Sequence, residues 1–191
     1  EPIYNNLKKN IKKLTMSIEK NTELVILSQV YPGFTEKINW KNNKLFYQVE
    51  TLIFGEAIKR AEKPDRLIIG SKHQDFFLKN KFYKFLQCFN SKIYDMDIKS
   101  AELTKISINL FLISSINTTN LISKYCELIG ASWKSIIPSL KSDRRIGKYA
   151  YLQPNLSLGG SNLMRDLIIF DKLLNKKNLK SSLISSWKNN N

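Results

Sequence analysis

Apolar residues recur at helical spacing at Ile3, Leu7, Ile11, Leu14 and Ile18, with lysines between them, which predicts an amphipathic helix over 3–20. Asn21-Thr22 breaks that period, and the unbroken run Leu24-Val25-Ile26-Leu27 predicts a short buried strand. Pro32-Gly33 follows as a turn, with a short helix after Thr35. The same grammar returns over 45–97. Leu45–Val49 is strand-like, Ile53–Ala61 helical, Pro64-Asp65 a turn and Leu67-Ile68-Ile69-Gly70 a second buried strand. Residues 74–89 form an aromatic-rich helix and Ile93-Tyr94 a last short strand. Helix, buried strand and polar loop in alternation read as an α/β unit whose earlier strands are missing.

From Ser100 onward the pattern is helical. Ser100 suits an N-cap, Glu102 the first turn and Gly130 the C-terminal cap, and no Pro or Gly interrupts the stretch between them, so one long helix is expected. Leu103, Ile106, Leu110, Phe111, Ile113, Ile116, Leu121, Tyr125 and Leu128 give it apolar residues on more than one side, as in a domain core or a subunit interface. Further helices are expected at Ser132–Leu140, near 163–175 and at Leu179–Trp187, with a loop over 143–162 and a frayed Asn-rich end. The domain boundary falls at 97/98.

Composition narrows the class. At 191 residues and 42% hydrophobic, the chain can bury a core, and no uninterrupted apolar run reaches the ~18–20 residues that span a bilayer. It opens on Glu1-Pro2 with no apolar segment behind a basic end, so the expectation is a sequence that begins inside a longer protein, without a signal peptide. Cys88 and Cys126 suggest no disulfide framework or metal site; they read as buried thiols in a reducing cytoplasm, and the lone His73 has no ligand cluster around it. The net charge of +15 raises a nucleic-acid reading. Lysines spread along the chain rather than in one block, and no nucleic-acid motif accompanies them, so a solvated surface is the plainer account. Phe76, Phe77, Phe82, Tyr83, Phe85 and Phe89 can stack on bases, but their helical spacing favours core packing.

Five segments carry candidate chemistry. They are Ser28-Gln29-Val30-Tyr31-Pro32-Gly33-Phe34-Thr35; Glu50 to Ile58 with Pro64-Asp65-Arg66; Ala101-Glu102-Leu103-Thr104-Lys105 with Asn109; Asp143-Arg144-Arg145-Ile146-Gly147; and Gly159-Gly160-Ser161-Asn162-Leu163-Met164-Arg165-Asp166. Lys105 and Asn109 lie four apart and share a helix face. That pair is either a solvent-facing polar stripe or a cleft that holds an alcohol or a developing oxyanion. Asn162 and Asp166 have the same spacing, and Asp166 is either a proton acceptor or a surface acid in a first helical turn. Arg145 is either an anion ligand or half of a surface ion pair. Glycines 159 and 160 let backbone N–H groups approach a ligand closely.

In order and spacing these segments resemble the UDP-glucose/GDP-mannose dehydrogenase family, NAD-dependent enzymes that oxidise nucleotide sugars. The family patterns are Ser-Thr-Val-x-Pro-Gly-Thr-Thr, Pro-Glu-Phe-Leu-x-Glu-Gly-x-Ala-Ile with Pro-Asp-Arg, Ala-Glu-Leu-x-Lys-x-x-x-Asn, Asp-x-Arg-Ile-Gly and Gly-Gly-Ser-Cys-Leu-Pro-Lys-Asp. The resemblance implies the end of a Rossmann-type NAD domain, residues 1–97, followed by an all-α, 6-phosphogluconate-dehydrogenase-like dimerisation domain, residues 98–191. It also implies a homodimer, a nucleotide sugar as substrate, and no membrane or specific nucleic-acid partner. Lys105 and Asn109 then stabilise the oxyanion, Asp166 handles a proton and Glu50 manages water. Arg145, Tyr151, Gly159 and Gly160 contact substrate, and Ser28, Gln29 and Arg165 the cofactor.

Departures from the pattern cluster at the same pocket. Asn162 stands where the family has its nucleophilic cysteine, Gln29 replaces a threonine, Phe54 a second glutamate and Arg165 a lysine. A carboxamide cannot form the thioester that carries the second oxidation. Ser161 is one residue out of place to substitute for it. No Gly-x-Gly-x-x-Gly turn follows a strand, so this chain alone is not expected to bind NAD. Three functions remain in view: part of an NAD-dependent oxidoreductase, a non-catalytic dimerisation module derived from one, and a basic nucleic-acid-binding protein.

Overall fold

Strands whose two faces are both covered read as continuous apolar runs, and Leu67-Ile68-Ile69 is such a run at the centre of the sheet. A computed structural model describes residues 2–51, 55–73, 78–154 and 161–189. It divides into two units, 1–105 and 106–191. The first contains α1 (Pro2–Ser17), β1 (Leu24–Ile26), β2 (Leu45–Gln48), α2 (Ala57–Glu62), β3 (Arg66–Ser71), α3 (Lys81–Gln87) and β4 (Lys92–Asp97). The strands lie in the order β1-β2-β3-β4. β1 is parallel to β2 with Leu24 opposite Leu45, and β3 is parallel to β4 from Arg66/Lys92 to Ser71/Asp97. One antiparallel step, Tyr47 opposite Gly70, joins the two pairs.

Leu67 and Ile69 pack with Phe46, Phe82 and Leu86 in one cluster. Gly70 meets the start of the following helix, α4 (Ile98–Ile129). A Cβ on Gly70 would lie 2.8 Å from the Ala101 Cβ and 2.9 Å from the Ile98 Cα. Ala101 is fully buried, and a backbone atom cannot step aside as a flexible side chain would. Gly70→Ala should therefore cost about 1–3 kcal/mol, read as a lower urea midpoint at unchanged slope.

The helix expected at 53–61 is Ala57–Glu62, and the one expected at 74–89 is Lys81–Gln87, where Asn80 accepts the Phe82 N–H at 2.9 Å. Residues 52–54 and 74–77, with Phe54, Phe76 and Phe77, lie outside the described residues. Among the other aromatics Phe82 is buried, whereas Phe85 is exposed and sets its edge on Phe89. The strand expected at Ile93-Tyr94 extends over Lys92–Asp97. Cys88 is exposed rather than buried. Phe82 and Leu86, one turn apart, take the inward face of α3, and Cys88 lies beyond its C-terminal end, well round from that face.

The long helix starts earlier than Ser100. Asp97 accepts the Ser100 N–H at 3.0 Å, so Asp97 is the cap and Ser100 the third helical residue. These hydrogen bonds from Ser100 pull the Asp97 carboxyl below its ordinary range. At the other end Gly130 takes φ +70° and Ala131 N–H returns to the Cys126 carbonyl at 2.9 Å, a Schellman-type close.

The second unit is helical. After α4 come α5 (Trp133–Ser142), α6 (Ser161–Asn175) and α7 (Ser182–Asn189). Ile113 and Ile116 of α4, Leu167 of α6 and Ile184 of α7 form its core, with Leu163, Phe170 and Trp187 packed round them. Ser132 caps α5 by accepting the Ser135 N–H at 3.3 Å.

Candidate functional site

β1 and β2 run parallel and end at Ile26 and Gln48. Ser28-Gln29 and Glu50 therefore lie just past the C-terminal ends of two neighbouring parallel strands, the edge where α/β sheets hold ligands. Ser28 is exposed, while Gln29, Glu50 and Lys105 are half-buried.

The same loop carries a contact that the sequence reading missed. Glu102 is fully buried, and its two carboxylate oxygens divide the work. Oε2 accepts the Gly33 N–H, and Oε1 accepts the Thr35 N–H at 2.8 Å. Burial pushes this carboxyl above its ordinary range, and the backbone N–H bonds oppose that shift. By sequence alone Glu102 suits the helix dipole of a first turn, and its one further signal is membership of the Ala-Glu-Leu-x-Lys segment. An exposed ion pair between Lys99 and Glu36, 2.9 Å, joins the same two segments.

In the second unit Asp166 is fully buried. One of its oxygens accepts the Asn109 amide, and the other accepts Arg165 Nε at 3.1 Å. Two segments fifty-seven residues apart thus meet through Asn109 and Asp166. Arg165 turns its Nε onto the carboxylate beside it and stays 40% exposed. Asn162 lies one turn before Asp166 on α6 and is exposed.

The segment around Tyr151 is anchored by its backbone. Ser115 and Thr119, four apart on α4, donate to the Tyr151 carbonyl at 2.8 and 3.0 Å, and Trp133 Nε1 donates to the Leu152 carbonyl at 3.0 Å. The Tyr151 side chain is exposed. The Ser115 and Thr119 anchors were legible only as hydroxyls at helical spacing within an apolar run. Arg145 makes a two-pronged ion pair with Asp143, at 2.6 and 3.0 Å, and holds that carboxyl below its ordinary range. Arg145 itself is exposed, so the pair lies at the surface of the chain. Gly159 and Gly160 lie outside the described residues.

The chain supplies no Gly-x-Gly-x-x-Gly turn to cradle a pyrophosphate. Among the described residues no three His, Cys, Asp or Glu side chains group as metal ligands.

Comparison with known proteins agrees with this assembly of motifs. The central domain of the UDP-glucose/GDP-mannose dehydrogenase family matches residues 99–191. UDP-glucose 6-dehydrogenase of Rickettsia bellii is 30% identical over 184 residues, 92% of this chain and 42% of that protein. The enzyme of the same name from Campylobacter jejuni is 31% identical over 185 residues, 93% of this chain and 45% of its own length. The chain thus spans less than half the length of the curated relatives it matches. Among solved structures, a UDP-D-ManNAc dehydrogenase from Pyrococcus horikoshii superposes with a TM-score of 0.78 at 19% identity, covering 96% of this chain and 45% of that one. A UDP-glucose dehydrogenase from Pyrobaculum islandicum gives 0.73 at 23% identity, covering 86% and 40%. Their fold is the one described above, a small sheet followed by long helices. Residues 99–191 thus belong to the central domain of the UDP-glucose/GDP-mannose dehydrogenase family.

Proposed function

We propose that this chain is part of an NAD-dependent oxidoreductase that removes one hydride from a hydroxyl of a nucleotide sugar and releases a carbonyl product. NAD supplies the hydride acceptor when bound. Lys105 and Asn109 donate to the sugar oxygen as it loses its proton, Asp166 takes that proton through a water, and Glu50 orders water at the strand ends. The observation that carries the reading is the Asn109–Asp166 contact, in which the amide of one family segment meets the carboxylate of another in a buried setting. Low-dielectric surroundings strengthen such polar groups.

Asn162 limits the chemistry to one step. The family's second oxidation runs through a thiohemiacetal on cysteine, and a carboxamide adds to no aldehyde. The test is reduction of NAD by the complete protein when UDP-glucose or GDP-mannose is supplied. Turnover that depends on the sugar supports the reading, and its absence with every nucleotide sugar tried points to the second reading. That alternative is a dimerisation module without catalysis, and the engagement of Asp166 by Arg165 favours it.

Either reading includes a homodimer built on α4. Phe111, Ile122, Tyr125 and Ile129 fall on one helical face and are exposed, with Leu121 and Leu128 beside them. By length and composition α4 is also apolar enough to cross a bilayer. Its buried Glu102, Asn109, Thr119 and Ser123 suit a protein core and a subunit interface instead. Obligate interfaces bury more than about 2,000 Å², which a helix of this length can contribute with its neighbours. Sedimentation at micromolar concentration should give a dimer; a stable monomer contradicts this.

A further inference from the structure

Glu102 is a buried titratable group with no part in the proposed chemistry, and it lies in a family segment whose matched roles fall on Lys105 and Asn109. We propose that Glu102 is a positioning residue that clamps the Ser28–Thr35 loop to the first turns of α4, so that the cofactor edge at Ser28-Gln29 and the Lys105 ammonium keep one fixed geometry. The inference rests on the enzymatic reading above.

Geometry makes the carboxylate specific. Gly33 and Thr35 present two N–H groups to one side chain, and each carboxylate oxygen takes one of them. A carboxamide of the same shape has one acceptor oxygen, and its NH₂ would face the second N–H as donor against donor. Aspartate keeps the charge but withdraws it by one methylene. Gly33 holds φ +83°, which glycine adopts without strain, and the same backbone freedom leaves the turn to be fixed by its contacts. Both partners of the clamp belong to the first unit, and Lys105 follows Glu102 by three residues, nearly one turn. Two family segments about seventy residues apart therefore act as one piece, with the loop's backbone and the helix's acid each supplying half of the joint.

The experiment compares the unaltered complete protein with its Glu102→Gln, Glu102→Asp and Lys99→Ala variants, the last removing only the pair to Glu36. Amide hydrogen exchange and steady-state kinetics with NAD and UDP-glucose are read on each. In Glu102→Gln the Gly33 and Thr35 amides should exchange about tenfold faster or more while the Leu67–Gly70 amides keep their protection. The KM for NAD should rise about tenfold, with that for UDP-glucose within about twofold. Glu102→Asp should fall between, and Lys99→Ala should match the unaltered protein. Unchanged exchange at Gly33 and Thr35 would overturn the clamp. So would a rise in both KM values with loss of protection across β3, which is the mark of general unfolding. If Glu102→Gln does not fold, Glu102→Asp decides by the same criteria. If the unaltered protein reduces no NAD, the enzymatic reading fails, while exchange at the two amides still decides the clamp.

Discussion

Changing Asn162 to Cys should convert release of a carbonyl product into release of an acid, with a second NADH formed per sugar. Removing the first hydride needs a held hydroxyl, a proton acceptor and donors to the developing oxyanion, all of which Lys105, Asn109 and Asp166 can supply. The second needs a tetrahedral carbon. In the family's chemistry a thiolate adds to the aldehyde, hydride loss leaves a thioester, and water cleaves it to the acid and the free thiol. Asn162 is exposed on the first turn of α6, one turn before Asp166, so a thiol there would stand on the same helix face as the proposed proton acceptor. Product analysis by mass, with NADH counted spectrophotometrically, checks the result. Continued release of carbonyl alone by Asn162→Cys would mean that Gln29, Arg165 or another departure also blocks the second step.

Asp166→Ala should lower stability by roughly 2–3 kcal/mol, or about 4–12 °C in the unfolding midpoint of a chain this long. The loss has two parts. The Asn109 amide, 6% exposed, gives up its carboxylate acceptor and has little access to solvent in exchange. The Arg165 guanidinium loses its neighbour too, but it is 40% exposed and recovers solvation, so its share is small. Asp166→Asn should lose less, because an amide oxygen can still accept from Asn109. Calorimetry on both variants checks the order. Equal stability of the alanine variant and the unaltered chain would show that the contact between the two segments carries no energy.

The elements were legible wherever periodicity was strong and punctuated. The 3.6-residue stripe of α1, the unbroken Leu67-Ile68-Ile69 run and Gly130 at the close of α4 each carry their own local cause. Boundaries that depend on capping were less so. Asp97 outcompetes Ser100 because β4 runs directly into α4 and places a carboxylate at its start. Cys88 shows the limit of reading burial from apolar neighbours, since two residues past the buried Leu86 the chain is already on another face.

The site was legible as a set of motifs, not as a geometry. Lys105 with Asn109 and Asn162 with Asp166 follow from helical spacing, and the structure instead joins Asn109 to Asp166, a contact between segments that no local period encodes. Glu102 was hidden for the same reason. A carboxylate at a helix start has a sufficient local explanation in the macrodipole, and only the long-range fold turns it inward onto Gly33 and Thr35.

The measurement that bears most directly on the account is the ratio of NADH formed to nucleotide sugar consumed by the unaltered complete protein. A ratio of about one, with an aldehyde or ketone as product, is the result expected from N–H donors to the sugar oxygen and a proton acceptor without a thiol. A ratio of about two, with a uronic acid as product, would contradict it, because it would require a route past the aldehyde that Asn162 cannot supply.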